Sequence, residues 1–124
     1  MLKVILDTNF LMIPLQFGVD IYSELNRLIT EKYSLCTIQP VFDELEKLSK
    51  TKPEASAAFR LAKLKKIQVI ECHVQLEGTD PKILAAAESE NAVVCTNDAA
   101  LRRKAKDKGL RVIALRQKAY LMEV

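Results

Sequence analysis

Residues 1–9, MLKVILDTN, join an apolar run to a group of polar side chains. The run from Leu2 to Leu6 is rich in leucine and β-branched residues, a pattern typical of a strand that is covered on both faces. Asp7 follows this strand directly. Ligands bind outside the carboxyl ends of the strands in open α/β sheets, so polar residues placed like Asp7 are the first candidates for function.

Strand and helix patterns alternate along the rest of the chain. Further strands are predicted at residues 34–38, 67–72, 92–96 and 111–115. Helices are predicted to begin at Asp20, Pro40, Pro53 and Asp80, and a last helix is predicted to end near Gly109. This alternation favours a parallel sheet of about five strands with helices on both faces. We therefore predict an α/β fold.

Length and composition define the class of protein. The 124 residues are 49% hydrophobic with three Gly and four Pro, which predicts one globular domain over residues 1–124 and excludes a disordered or collagen-like chain. The sequence has no apolar stretch long enough to span a membrane, and its start lacks the apolar core of a signal peptide. We expect a cytoplasmic protein that does not contact a membrane.

The cysteines support the same compartment. Cys36, Cys72 and Cys95 are odd in number and far apart, which argues against both a disulfide framework and a zinc site. Two of them lie in apolar runs, and we predict that these two are buried thiols.

Basic residues are concentrated near the carboxyl terminus. The net charge of +3 is small, but residues 101–108 carry five basic side chains and one acid, and Arg116 and Lys118 follow. Such a cluster is either a solvated helix face or a surface that binds a polyanion.

Three aspartates lie where predicted strands end or helices begin. Asp7 and Asp98 follow the first and fourth strands, and Asp80 opens the helix between the third and fourth strands. Each of them could simply cap a helix or a turn. In a doubly wound sheet, however, all three would lie on the same rim, and capping does not explain that convergence.

Glu44 is the fourth acid of interest. On a helical wheel with about 100° per residue, Glu44 lies at the edge of the apolar sector that begins at Val41, while the other acids of this helix face away. Acids rarely face a packed side without a partner. Glu44 is therefore either a site residue or the ion-pair partner of a lysine such as Lys47 or Lys50.

Four carboxylates in one pocket repel one another, so we expect them to hold either protons or a cation. Oxygen ligands suit Mg²⁺ or Mn²⁺ rather than zinc, and the single histidine, His73, lies outside the set and is expected at the surface. Metal ions held by carboxylates near a basic surface are typical of phosphodiester hydrolysis. The sequence has no glycine-rich phosphate loop and no histidine motif for serine or cysteine catalysis.

Four blocks of the sequence resemble the PIN-domain family. They are LDTN at residues 6–9, VFDEL at 41–45, GTDPKIL at 78–84 and VCTND at 94–98, and they follow the family's order over nearly the whole chain. The blocks look closest to the small archaeal-type PIN proteins that resemble the branch processing pre-ribosomal RNA. VapC-type toxins form the neighbouring subfamily.

The resemblance implies a three-layer α/β/α sandwich and an endoribonuclease that cleaves single-stranded RNA with the help of Mg²⁺ or Mn²⁺, leaving 5′-phosphate and 3′-hydroxyl ends. One or two ions would be held by the positions that match the family's acidic quartet, Asp7, Glu44, Asp80 and Asp98. The matching supporting positions are Asn9 and Thr96. The side chains expected to grip the RNA backbone are Arg102, Arg103, Lys106, Arg116 and Lys118.

The sequence leaves several readings of the function open. A ribonuclease could process ribosomal or other RNA, with ribosome-assembly factors as partners, or it could be a VapC-type toxin paired with an antitoxin. A rival of another class is a non-catalytic RNA-binding or scaffold domain. A phosphatase with an aspartyl nucleophile is disfavoured, because that chemistry needs a second aspartate where this chain has Asn9. Relatives often form homodimers, and the apolar tail at residues 119–122 is either an interface or the last element of the core.

Overall fold

The computed structural model describes residues 1–72 and 75–124, and within these ranges the chain forms six strands and seven helices. The strands are Leu2–Leu6 (β1), Tyr33–Ile38 (β2), Gln68–Ile70 (β3), Val93–Cys95 (β4), Val112–Arg116 (β5) and Tyr120–Glu123 (β6). The helices are Thr8–Leu11 (α1), Ile13–Phe17 (α2), Ile21–Leu28 (α3), Gln39–Ser49 (α4), Pro53–Leu64 (α5), Thr79–Glu90 (α6) and Ala99–Asp107 (α7).

The strands form one sheet in the order β3-β2-β1-β4-β5-β6, and every neighbouring pair among β1 to β5 is parallel. Strand β1 lies in the middle, with Val4, Ile5 and Leu6 fully buried, as its continuous apolar pattern predicts. The chain crosses β1 after β3, so the strand order reverses between β1 and β4. The predicted α/β architecture, a sheet between layers of helices, is confirmed, and its reversal point lies at the end of β1.

The sheet has one strand more than the predicted five, because the tail folds back as β6. Strand β6 pairs antiparallel with β5, and Leu121 is buried between the sheet and the helices. The connecting turn places Gln117 and Lys118 at φ 52° and 53°, the left-handed pair of a tight hairpin turn. Gln-Lys lacks the Asn-Gly signature of such turns, which is why the sequence pattern did not reveal the hairpin.

Helix α3 covers the outer edge of β6. The Leu121 N–H donates to Glu24 Oε1 at 2.9 Å, and Arg27 Nη2 donates to the Leu121 carbonyl at 3.3 Å. Glu24 and Arg27 also pair with each other at 3.1 Å. Both outward-facing backbone groups of Leu121 are therefore satisfied by side chains of one helix.

The short helices α1 and α2 are absent from the sequence prediction. Phe10, Leu11 and Ile13 are almost completely buried, so this segment is apolar without the spacing of an amphipathic helix. Asp7 caps α1, and α2 ends at Gly18, whose φ of 67° is the left-handed conformation favoured after a helix. These two turns of helix carry the chain away from the end of β1.

The predicted strand boundaries lie within two residues of the observed ones. Strand β3 covers three residues of the predicted 67–72 run. The prediction that Asp80 opens its helix as the cap is wrong: α6 begins at Thr79 after Gly78, and within the described chain no side-chain hydrogen bond caps it. Gly78 adopts φ 89°, a conformation that glycine tolerates and that ends the preceding loop. Asp20 caps α3 as predicted.

The remaining expectations concern single residues. Cys36 and Cys95 are buried free thiols, as predicted, and Cys72 is half-buried and also free. His73, expected at the surface, lies outside the described residues. Among the helices of the described ranges, none combines the length and the apolar character that crossing a membrane requires.

Candidate active site

Asp7 lies at the carboxyl end of β1, at the point where the strand order reverses. Asp7 is 4% exposed. Both of its carboxylate oxygens accept hydrogen bonds. The Phe10 N–H donates to Oδ1 at 2.9 Å, and the Thr96 hydroxyl donates to Oδ2. Asp7 is therefore both the N-cap of α1 and a carboxylate tied to the neighbouring strand, so the capping reading and the site reading of this residue describe the same geometry.

Thr96 connects two of the acids. It follows β4, is fully buried, and its Oγ1 accepts a hydrogen bond from the Asp98 N–H at 3.0 Å while donating to Asp7. Asp98 in turn caps α7 by accepting from the Ala100 N–H at 2.8 Å. The end of β1 and the start of α7 are thus held together through one hydroxyl group.

The carboxyl groups influence one another's protonation. Burial is the largest cause that raises the pKa of Asp7 from its ordinary value of 3.8 to about 7, and the charges of Asp80 and Asp98 raise it further. The hydrogen bonds from Thr96 and Phe10 oppose this rise in the pKa. Burial also raises the pKa of Asp80, with the charge of Asp98 adding to the rise and that of Lys104 opposing it. These acids therefore share one negative electrostatic environment.

A cavity of about 320 Å³ opens in front of Asp7. All four acids named from the sequence line it, together with Asn9. The complete lining is Asp7, Thr8, Asn9, Met12, Gln16, Glu44, Leu48, Lys52, Glu54, Thr79, Asp80, Ile83 and Asp98. The structure thus brings together carboxylates that are far apart in the sequence.

Glu44 lies on α4, where Val41 and Leu45 are buried and Glu44 itself is exposed towards the cavity. Within the described chain, Glu44 forms no ion pair with Lys47 or Lys50, the alternative that the sequence left open. Asp80 sits in the first turn of α6 and faces the same cavity. Carboxylate oxygens from two different helices therefore line the cavity.

The donor atoms of the cavity are oxygens, which hard divalent cations prefer, but the described side chains do not form a ligand shell. In residues 1–72 and 75–124, no three Asp, Glu, Cys or His side chains approach closely enough to hold an ion as a group. The cavity nevertheless collects oxygen ligands and excess negative charge, which are the properties that attract Mg²⁺ or Mn²⁺. Thr8 adds a buried hydroxyl oxygen that has no hydrogen-bond partner in the described part of the chain.

Asn9 lines the cavity and also connects two segments of the chain. Its Oδ1 accepts a hydrogen bond from the Asn97 N–H at 3.0 Å, which joins α1 to the loop after β4. A comparable link that the sequence did not suggest runs from the Thr37 hydroxyl to the Leu6 carbonyl at 2.7 Å. Together these bonds position the carboxyl ends of the three central strands.

The basic residues named from the sequence do not line this cavity. Arg102, Arg103 and Lys106 border a separate depression of about 520 Å³ on α7. Arg116 ends β5, and Lys118 lies in the exposed turn to β6. The electrostatic contact between α7 and the acids comes instead from Lys104, whose charge lowers the pKa of Asp80.

Three polar residues of the cavity lie outside the four sequence blocks and were not identified from the sequence. Gln16 belongs to α2, and Lys52 and Glu54 flank the start of α5. They belong to none of the four motif blocks, and their segment carries no pattern that points to a site. The short connection of three residues between α4 and the helix that begins at Pro53 is the single feature that could have drawn attention to Lys52.

A family model described as "PIN like domain" matches residues 4–118. The chain belongs to the PIN-like domain family. Ribonuclease VapC4 of Methanocaldococcus jannaschii is 31% identical to it over 126 residues, which cover 97% of this chain and 95% of the relative. Ribonuclease VapC9 of Archaeoglobus fulgidus is 30% identical over 114 residues, 91% of this chain and 82% of the relative.

Solved structures give the same assignment. The PIN domain endonuclease Utp24 superposes with a TM-score of 0.83 at 25% identity and covers 98% of this chain and 90% of its own. VapBC-1 from nontypeable Haemophilus influenzae has a TM-score of 0.66 at 18% identity, with 90% and 96% coverage, and shares the fold. The resemblance to both PIN branches is confirmed, and these likenesses support a PIN nuclease.

Proposed function

We propose that this PIN protein is an endoribonuclease that hydrolyses phosphodiester bonds in single-stranded RNA with the help of one or two Mg²⁺ or Mn²⁺ ions. The observation that carries the proposal is the cavity in which Asp7, Glu44, Asp80 and Asp98 meet at the carboxyl ends of the strands. The names of the two VapC ribonucleases, at 31% and 30% identity, support RNA as the substrate.

The four carboxylates would hold the metal. A bound divalent cation would acidify a water molecule and stabilise charge on the attacked phosphate. The pKa of Asp7 is raised, and the Thr96 hydroxyl donates a hydrogen bond to its carboxylate. That hydrogen bond fixes the direction of the carboxylate oxygens before an ion binds. Thr96 and Asn9 hold the loop after β4 against α1, which keeps Asp98 in reach of Asp7.

The basic side chains would grip the RNA backbone around the cavity. Strands β1, β4 and β5 are neighbours, so Arg116 at the end of β5 lies two strands, about 10 Å, from β1. Arg102, Arg103 and Lys106 extend this positive surface along α7, and Lys118 extends it into the turn that follows. Each phosphate contact would make binding fall more steeply with salt.

The test compares the wild type with Asp7→Asn. Single-stranded and duplex RNA of the same sequence are incubated with Mn²⁺, with Mg²⁺ or with a chelator, and the products are separated on denaturing gels. We expect metal-dependent cleavage of the single strand, 5′-phosphate ends on the products, and a loss of at least about 100-fold in Asp7→Asn, since metal catalysis contributes several kcal/mol. If both proteins bind RNA and are equally inert, the scaffold function is correct instead.

The cellular role has two candidates. The VapC relatives favour a toxin whose activity is blocked by a small antitoxin protein in the cytoplasm. The superposition with the Utp24 endonuclease, at a TM-score of 0.83, and the motif blocks favour a processing enzyme that works with ribosome-assembly factors or on other RNA. Controlled expression separates the two: a toxin arrests growth within one generation, and its antitoxin restores growth. Sedimentation of the purified protein tests the expected homodimer.

A further inference from the structure

We propose that Lys52 binds a backbone phosphate of the RNA next to the phosphate that is cleaved. The proposal rests on the function above and adds to it a substrate contact on the wall of the cavity formed by α4 and α5. Lys52 belongs to none of the motif blocks and is not among the basic residues near the carboxyl terminus that the sequence analysis names. It is exposed and lines the cavity that holds the four acids.

Lys52 continues one face of α4. Glu44, Leu48 and Lys52 recur at intervals of four residues, and all three line the cavity. The Lys52 N–H donates to the Leu48 carbonyl at 2.9 Å, so the helical path continues to Lys52 beyond the last residue of α4. At 1.5 Å per residue, Lys52 lies about 12 Å along this axis from Glu44. The row therefore leads from a carboxylate to an ammonium group along one wall.

The cavity is strongly negative, so a phosphate can approach it favourably only where a positive group is present. Its described lining contains five carboxylates, those of Asp7, Glu44, Glu54, Asp80 and Asp98, and Lys52 is the one cation among these lining residues. RNA carries a negative charge at each phosphate, so an approach along a wall of carboxylates alone is repulsive. An ammonium group beside the acids gives the neighbouring phosphate a favourable place to bind.

The Lys52 side chain is available for this contact. No carboxylate of the described residues forms an ion pair with it, in contrast to Lys3 and Lys108, which pair with glutamates at 3.0 and 3.2 Å. Its backbone is fixed, because the following Pro53 confines Lys52 to the extended conformation, with φ −124° and ψ 116°. A free side chain on a fixed backbone is suited to binding a ligand.

Lys52 also adds a second region of positive charge along the path expected for a bound RNA. Strands β2 and β4 lie on either side of β1, so α4, which follows β2, and α7, which follows β4, begin on opposite sides of Asp7. The basic residues of α7 are on the β4 side. Lys52 follows the end of α4 and provides positive charge on a different wall of the cavity, so that an RNA bound there has a basic contact apart from those of α7.

The test measures how RNA binding depends on salt. Fluorescence anisotropy with a labelled single-stranded RNA and Mn²⁺ is recorded between 50 mM and 400 mM salt, roughly the range over which phosphate contacts dominate. Asp7→Asn is the background, so that the RNA stays intact, and the variants added to it are Lys52→Ala, Lys52→Arg and, as the matched control, Lys50→Ala. Lys50 is an exposed lysine of the same segment and is outside the cavity lining.

We expect Lys52→Ala to make the slope of log affinity against log salt shallower by about 0.7 and to weaken binding about fivefold at 0.1 M salt, the value for one phosphate contact with a single strand. Lys52→Arg restores the slope, and Lys50→Ala leaves it unchanged. An unchanged slope in Lys52→Ala, an equal change in Lys50→Ala, or no binding by the background protein overturns the proposal.

A parallel cleavage assay with Asp7 intact separates this proposal from the proposed function. If the salt slope changes as expected and the wild type does not cleave, Lys52 binds phosphate and the nuclease function is wrong. If the wild type cleaves and the slope does not depend on Lys52, the nuclease function stands and the role of Lys52 is wrong.

Discussion

Thr96 and Asp7 are separated by 89 positions in the chain, and the Thr96 hydroxyl donates a hydrogen bond directly to the Asp7 carboxylate. The same oxygen accepts from the Asp98 N–H. Because Thr96 is fully buried, water cannot replace either bond when the hydroxyl is removed. Both bonds can therefore be tested by changing this one side chain.

Thr96→Val should destabilise the protein by about 2 kcal/mol at pH 8, since it leaves a buried carboxylate and an N–H group without their partner. The loss should be smaller at pH 5, where Asp7 is protonated and the hydrogen bond to its charged form is no longer needed. Urea unfolding at the two pH values measures the difference. Thr96→Ser keeps the hydroxyl and should unfold nearly like the wild type; an equal loss in both variants would contradict the explanation.

The stability of the metal-free protein should fall as the pH rises from about 4 to about 7. The pKa of Asp7 is about 7 in the folded state against an ordinary 3.8, so the folded protein holds a proton that the unfolded chain releases. The stability that protonated Asp7 contributes is fully present below pH 3.8 and is lost above pH 7. The difference in unfolding free energy between these two limits is on the order of 4 kcal/mol.

Urea titrations in chelator across this range check that prediction. Asp7→Asn should remove most of the decline, although Asp80, whose pKa is also raised, retains a smaller part of it. Asp107→Asn, at the exposed end of α7, is the control and should follow the wild type. A wild-type profile that rises from pH 4 to pH 7 would show that the Asp7 carboxyl is charged in the folded state.

Divalent cations should stabilise the protein, and more strongly above pH 7 than below it. An ion must displace the proton from Asp7, so its affinity increases until that carboxyl is deprotonated. At a Mn²⁺ concentration about 100 times the Kd, the gain in unfolding free energy is about 2.7 kcal/mol. Calorimetry with and without Mn²⁺ at pH 6 and pH 8 measures it. The gain should be much smaller in Asp7→Asn; an equal gain there places the ion elsewhere.

The basic face of α7 should contribute to RNA binding independently of Lys52. Arg102→Ala and Arg103→Ala should each make the salt slope shallower by about 0.7 if the side chain contacts a phosphate of a single strand. Arg60→Ala, an exposed arginine on α5, is the control. Anisotropy titrations at several salt concentrations decide this, and slopes that stay the same in both α7 variants would assign this cluster to a solvated helix face.

The parts of the fold that were predictable are those with a clear period or a long apolar run. Val4, Ile5 and Leu6 are fully buried and form an uninterrupted apolar run, and the apolar side of α4 follows its 3.6-residue period. Helices α1 and α2 have four and five residues, too few to present a helical period, and the sequence marks the start of α1 only by the possible cap at Asp7. Strand β6 depends on a turn in which Gln117 and Lys118 are left-handed, and these residue types do not predict that conformation.

Some residues of the candidate site were predictable from the sequence, and others were not. Asp7 and Asp98 were found because the carboxyl ends of parallel strands meet at one rim, and that rule needs the topology alone. The placement of Asp80 in the first turn of α6, instead of at the cap, depends on Gly78, whose backbone conformation is set by the folded loop. Lys52 and Glu54 reach the cavity because α4 and α5 pack against each other, and such packing between helices has no signature in either helix.

The pairing of Glu24 and Arg27 with Leu121 has a consequence for how this molecule meets others. An edge strand with free backbone groups is a template on which a foreign strand can assemble, and long chains of such additions lead to fibres. At β6 the backbone N–H and carbonyl of Leu121, in the middle of the strand, are already occupied. A strand that adds to the sheet at β6 would first have to displace both side chains from Leu121, and the other edge strand of the sheet is β3.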